Sequence, residues 1–98
     1  MKTEQEILDL KNSYYSYKYC LRNQDAANIK AHQDIIIQNS IECGFHYYLF
    51  VFARDIMSSD KQLLSEIVLA SGRLNFIKSF YKYIKFDKSK YETLMLFI

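Results

Sequence analysis

Proline and tryptophan are absent from the 98 residues, and glycine and cysteine occur only twice each. With so few of the residues that punctuate strands, hairpins and linkers, the chain predicts packed helices rather than a β-rich fold. Two cysteines, Cys20 and Cys43, are too few for a disulfide scaffold, and no basic-then-apolar leader stands before them. A reducing cytoplasm is the expected compartment. The longest apolar run, Tyr47 to Ala53, falls far short of the roughly 18 residues of a spanning helix. A soluble protein without membrane association is expected. There is no phosphate-cradling glycine loop, because both glycines are isolated.

Half of the residues are hydrophobic and 16% are aromatic, enough for one compact core at the lower end of domain size. The mean hydropathy is too high for a disordered tail. The net charge is only +2 but unevenly spread. Met1 to Gly72 carries seven Lys/Arg against nine Asp/Glu, and Arg73 to Ile98 carries six against two.

The phrase "GFHYYLFVFARDI" from Gly44 returns as "GRLNFIKSFYKYI" from Gly72, a spacing of 28 residues. Tyr48 then aligns with Phe76, Leu49 with Ile77, Phe52 with Phe80 and Ile56 with Ile84, which is one amphipathic helix face used twice. Each glycine suits the left-handed residue that ends the preceding helix. Upstream, Ile36 aligns with Leu64, Ile41 with Leu69 and Cys43 with Ser71, and a third copy begins at Asp87 but stops after half a unit. Such a period predicts stacked helical hairpins. Thr3 and Glu6 fit a capping box, and Ile7, Leu10, Tyr14, Tyr17 and Leu21 form a stripe, so one N-terminal helix caps the stack. Asp25 is the expected N-cap of the next helix. The prediction is an all-α single domain over 1–98, with six helices at about 4–22, 26–43, 46–57, 60–71, 74–86 and 88–97.

Residues 27–56 and 58–84 resemble the short α-helical repeats of some bacterial and phage proteins, whose units carry a Ser-Gly turn and a Tyr-Ile-Tyr-x-Phe-Ala-Arg-Asp-Ile phrase. "FARDI" at 52–56 matches well, whereas 80–84 keeps only Phe80 and Ile84, and Cys43 replaces the turn serine that Ser71 retains. The likeness to ankyrin-like hairpins is distant, since their Thr-Pro-Leu-His phrase is missing. The resemblance implies a helical-repeat fold and macromolecular binding, and no reaction.

Chemistry-bearing residues are sparse. Cys20, His32, Cys43 and His46 make a nominal Cys2His2 set, but a zinc fingerprint needs two close-spaced pairs and only Cys43-x2-His46 qualifies. Cys43 and His46 lack an evident third group for nucleophilic catalysis, and Asp9, Asp34, Glu42, Asp55 and Glu66 have no converging spacing. Neither an enzyme nor a cofactor is expected.

Binding surfaces are better supported. Lys78, Lys82 and Lys85 recur at i, i+4, i+7 opposite Phe76, Phe80 and Ile84, and Arg73, Lys88 and Lys90 extend that basic ridge. It reads either as a contact for phosphates or an acidic protein, with Tyr81 and Tyr83 for base stacking, or as a solvated helix face. On the first helix Leu8, Tyr15 and Tyr19 fall opposite the core stripe, flanked by Lys11 and Arg22, so that this face is either sandwiched or meets a partner. Tyr47, Phe50 and Val51 make the helix after Gly44 apolar all round, which predicts a covering segment or an open apolar patch. The apolar end, Leu94, Leu96, Phe97 and Ile98, either folds back, docks on a target or joins two copies as a homodimer. The leading expectation is a protein–protein interaction module or small stoichiometric inhibitor, of the phage anti-defence (anti-CRISPR-like) or bacterial immunity or antitoxin-like kind. The alternative is a nucleic-acid-binding protein using the lysine ridge.

Overall fold

The computed structural model of the chain describes residues 2–96, and among these there are seven helices and no strand. They are α1 (Glu4–Leu10), α2 (Ser13–Arg22), α3 (Ile29–Cys43), α4 (Tyr47–Asp55), α5 (Lys61–Ser71), α6 (Leu74–Tyr83) and α7 (Ser89–Met95). From α1 to α6 neighbours in sequence pack together, and α4 also touches α2 and α6, so α2, α4 and α6 line up along one side with α3 and α5 behind them. The resulting body measures 48 × 26 × 15 Å, an elongated stack. No helix among the described residues is long and apolar enough to cross a membrane.

The 28-residue register is the register of the core. Ile36 and Leu64, Leu49 and Ile77, Phe52 and Phe80, and Ile56 and Ile84 are buried in pairs. Gly44 and Gly72 end α3 and α5 at φ of 70° and 71°, the left-handed conformation that side chains resist. Truncating Phe52 or Phe80 to alanine would cost about 3–5 kcal/mol, because each fills the seam between helices.

The units are tied together by repeated polar bonds. Gln33 accepts the Asp60 N–H at 2.8 Å, and Gln62 accepts the Asp87 N–H at 3.0 Å, so each hairpin pins the loop that leads into the next. Lys61 reaches back to the carbonyls of Ala53 and Ile56 at the end of α4, and Lys88 reaches the Tyr81 carbonyl near the end of α6. Both ammonium groups thereby satisfy carbonyls that the helix itself leaves open. The truncated third copy docks through Tyr91, buried, whose hydroxyl donates to the Ser65 carbonyl at 2.6 Å.

The N-terminal region departs from the single helix expected over 4–22. Lys11 takes φ 50°, its N–H bonds the Leu8 carbonyl, and Asn12 then caps α2 by accepting the Tyr15 N–H. The break is pinned from outside, since Asn39 on α3 donates to the Lys11 carbonyl at 2.9 Å and to Ser13 Oγ at 3.0 Å. Breaking the helix resets its phase. Leu10, Tyr14 and Leu21 of the expected stripe are exposed, while Ile7, Ser16 and Cys20 are buried. The cap of α3 also moves, from Asp25 to Asn28, which accepts the Ala31 N–H at 3.2 Å.

Candidate partner-binding surface

The side formed by α2, α4 and α6 carries a run of touching aromatic rings. Tyr15 lies 5.4 Å from Tyr14, Tyr14 6.5 Å from Tyr48, and Tyr48 5.4 Å from Tyr47 and 6.4 Å from Phe45, between ring centroids. Phe45 continues to Phe76 on α6 at 6.4 Å, and one turn along α4 Phe50 meets Tyr83 at 6.2 Å. Tyr14, Tyr15, Phe45, Tyr47 and Tyr83 are each between 44% and 59% exposed. Edge-to-face packing holds these rings in place while leaving one side of each toward solvent.

Cations border the rings. Lys18 lies 5.8 Å from Tyr14, Arg54 5.4 Å from Phe50 and Lys82 5.1 Å from Tyr83. Beneath Arg54, Asp55 is held by both the guanidinium and the Tyr17 hydroxyl. The Arg54 hydrogen bond is the main cause holding the Asp55 carboxyl below its usual range, and burial first, then Asp55, pushes the Tyr17 phenol up to about 12. The Arg-Asp of "FARDI" therefore locks α2 onto α4. A groove of about 430 Å³ opens beside the rings between Lys11, Tyr14, Cys43, Phe45 and Tyr48.

The expected N-terminal patch is divided. Tyr15, Tyr19 and Arg22 line one groove of about 430 Å³ together with Ile7 and Lys18. Lys11 belongs to the other groove, because the break turns it toward Cys43, and Leu8 is half-buried on α1. Tyr19 also has an inward task, stacking on the His32 ring at 5.3 Å. Tyr14 and Phe45 were not among the expected contact residues, whereas Tyr47 was expected either to be covered or to belong to an open apolar patch. The dense aromatic run from Phe45 was their signal, and Tyr14 was assigned to the core by a stripe that the break at Lys11 interrupts.

Along α6 and the turn after it, Arg73, Lys78, Lys82 and Lys85 are exposed, and among the described residues none pairs with a carboxylate. Lys88 differs from the rest of the ridge. It is half-buried, capping α6 and lying 5.2 Å from the Tyr81 ring. Lys90 faces Glu66 at 3.5 Å. Val51 is covered and Phe50 half-covered, whereas Tyr47 stays open, so α4 is partly sandwiched and partly bare. Leu94 and Met95 pack against the core, Leu96 is 82% exposed, and Phe97 and Ile98 lie outside the described residues.

The nominal metal set is scattered into separate roles. Cys20 is buried, and burial, then the charge of Glu4, pushes its thiol up to about 12, while Cys43 is an exposed free thiol. His32 is fully buried, with Nδ1 2.9 Å from Ser16 Oγ and Nε2 3.0 Å from a Glu4 carboxylate oxygen. Serine, histidine and glutamate are the residue types of a hydrolytic triad. Here Ser16 has no exposed surface, and Glu4 also accepts the Asn28 N–H at 2.7 Å, so the trio fastens α1 to α2 and α3. Among the described residues no three His, Cys, Asp or Glu side chains are placed to hold a metal ion.

In comparisons with known proteins, no family model, curated protein or solved structure matched the chain.

Proposed function

We propose that the chain acts by binding a protein partner, as a helical interaction module or small stoichiometric inhibitor, and not by catalysis. The observation that carries this reading is the aromatic row from Tyr15 to Phe76, together with the neighbouring Phe50–Tyr83 pair. Tyrosines and an arginine, held rigid and half exposed, supply much contact area for little lost side-chain entropy, which is the composition of interface hot spots. The resemblance to bacterial and phage repeats supports an anti-defence or immunity-type role, and the free thiol of Cys43 supports a reducing cytoplasm. A homodimer through the exposed Leu96 end is one form of the same reading. Capture from a bacterial lysate with and without nuclease tests it, comparing wild type with a Tyr14→Ala/Tyr47→Ala/Tyr83→Ala variant of unchanged helicity. A nuclease-resistant protein held by the wild type and lost by the variant is the expected result. Equal capture by both removes the aromatic row from the function.

Lys78, Lys82 and Lys85, which pair with no carboxylate among the described residues, favour the second reading, contact with nucleic-acid phosphates. Binding that disappears with rising salt and with neutralisation of all three lysines would establish it in place of the first.

A further inference from the structure

A third concavity lies between the two glycine turns. Its volume is about 420 Å³, its apolar walls are Ile41, Ile67 and Ala70, and its polar groups are His46, Ser71 and Arg73. His46 is 5% exposed, and its Nδ1 has no hydrogen-bond partner. Buried polar nitrogens are nearly always paired, so an orphan on a side chain that lines a concavity, itself covered from solvent in this ring orientation, points to a ligand that the ring would turn to meet.

Three further features share its sign. The Arg73 guanidinium lies across the Gly44 turn, its Nη2 3.1 Å from the place a Cβ would occupy, and no carboxylate among the described residues pairs with it. His46 and Arg73 are the N-caps of α4 and α6, and neither helix has a side-chain cap, whereas Asn12, Asn28 and Asp60 cap α2, α3 and α5. Uncapped N-terminal amides add partial positive charge. Ser71 contributes nothing free, since its hydroxyl donates to the Val68 carbonyl and accepts the Arg73 N–H.

We infer that this concavity binds a carboxylate carried on a small apolar body. Arg73 meets the two oxygens with its planar fork, and His46, in the tautomer with hydrogen on Nδ1 and with its ring turned toward the concavity, donates to one of them. Ile41, Ile67 and Ala70 cover the hydrocarbon part. A phosphate fits worse, because one fork and one imidazole leave its remaining oxygens against isoleucine. The carboxylate comes either from a free short-chain acid or from the C-terminus of a polypeptide. The inference stands apart from the aromatic row and does not depend on it.

The test is an NMR titration of the full ¹⁵N-labelled chain, following imidazole nitrogens and backbone amides at constant ionic strength. The probes are butyrate, a short apolar peptide with a free C-terminus, the same peptide amidated, and inorganic phosphate. Saturable shifts at His46 Nδ1 and at the Gly44 and Arg73 turns are expected with butyrate or the free peptide and not with the amide. Tighter binding of butyrate assigns a free acid, and tighter binding of the peptide assigns a chain terminus. Arg73→Gln, at an exposed position, should weaken binding about ten-fold or more while the remaining amide spectrum is unchanged. No saturable shift with either carboxylate, an undiminished response in Arg73→Gln, or a stronger response to phosphate would overturn the inference.

Discussion

The Tyr17 hydroxyl donates to Asp55 at 2.5 Å, and Asp55 takes two donors from its neighbour Arg54 at 2.7 and 2.9 Å. Tyr17 belongs to the capping region and Asp55 to the first repeat, so this bond joins two units across 38 residues of sequence. It also sets the edge of the aromatic row, because Arg54 is then held beside Phe50.

Tyr17→Phe removes the donor and leaves Asp55 with Arg54. A loss of about 1–2 kcal/mol is expected in urea unfolding at neutral pH, at the lower end for a hydrogen bond to a charged group because the pair is partly solvated. The pH dependence has a definite sign. The folded phenol titrates near 12 against 10.0 for an ordinary tyrosine, so its contribution is complete below pH 10 and is lost as pH rises through that window. Burial pushes Tyr91 up as well, so the double variant Tyr17→Phe/Tyr91→Phe should flatten the alkaline limb. Asp55, depressed chiefly by Arg54, acts in the opposite direction: its contribution is complete above the ordinary carboxylate range and is lost on acidification. An alkaline limb unchanged in the double variant would show that these phenols do not govern it.

Lys61 and Lys85 should respond very differently to alanine. The Lys61 ammonium donates to Ala53 and Ile56 carbonyls and to Ser59 Oγ, at 2.6, 3.0 and 2.9 Å, and burial holds its pKa below the usual value. Removing it strands the Ala53 carbonyl, whereas the Ile56 carbonyl still accepts from the Ser59 N–H and hydroxyl, and a cost of about 1–2 kcal/mol is expected. Lys85 is exposed, and its replacement should change stability by no more than about 0.5 kcal/mol. Denaturant midpoints with unchanged slopes would check both values, and equal midpoints would refute the cap.

Lys11→Gly should stabilise the protein by about 1 kcal/mol, because Lys11 sits at φ 50° where a Cβ is penalised and glycine is not. Thermal unfolding measures the change. A single helix through this region would instead lose stability with the same substitution, since glycine is poor in a helix interior.

Much of the architecture was legible because it is local and repeated. The Gly44 and Gly72 turns, the four paired apolar positions after them and the Thr3–Glu6 capping box each depend on residues a few places apart. The candidate surfaces were legible only in part. Tyr15, Tyr19 and Arg22 do share a groove, and Lys78 and Lys82 lie a turn apart on α6, but the expected helix over 74–86 ends at Tyr83, where Ile84 turns extended, so Lys85 leaves the helical register of the ridge. Lys88, although equally basic, is taken out of the ridge by a carbonyl that periodicity does not reveal.

From the sequence alone come the all-α class, the 28-residue register and the helix faces that enter the core, because hydrophobic spacing and glycine turns act within a few residues. Tertiary structure alone decided the break at Lys11, the burial of Ser16 and His32 with Glu4, the exposure of Tyr14 and the orphaned nitrogen of His46. Each depends on a partner brought from another helix: Asn39 for Lys11, Glu4 for His32, Tyr48 for Tyr14, and the facing turn at Arg73 for His46. A side chain's energy in these places is set by what lies opposite it across the stack, and that neighbour exists only once the helices have packed.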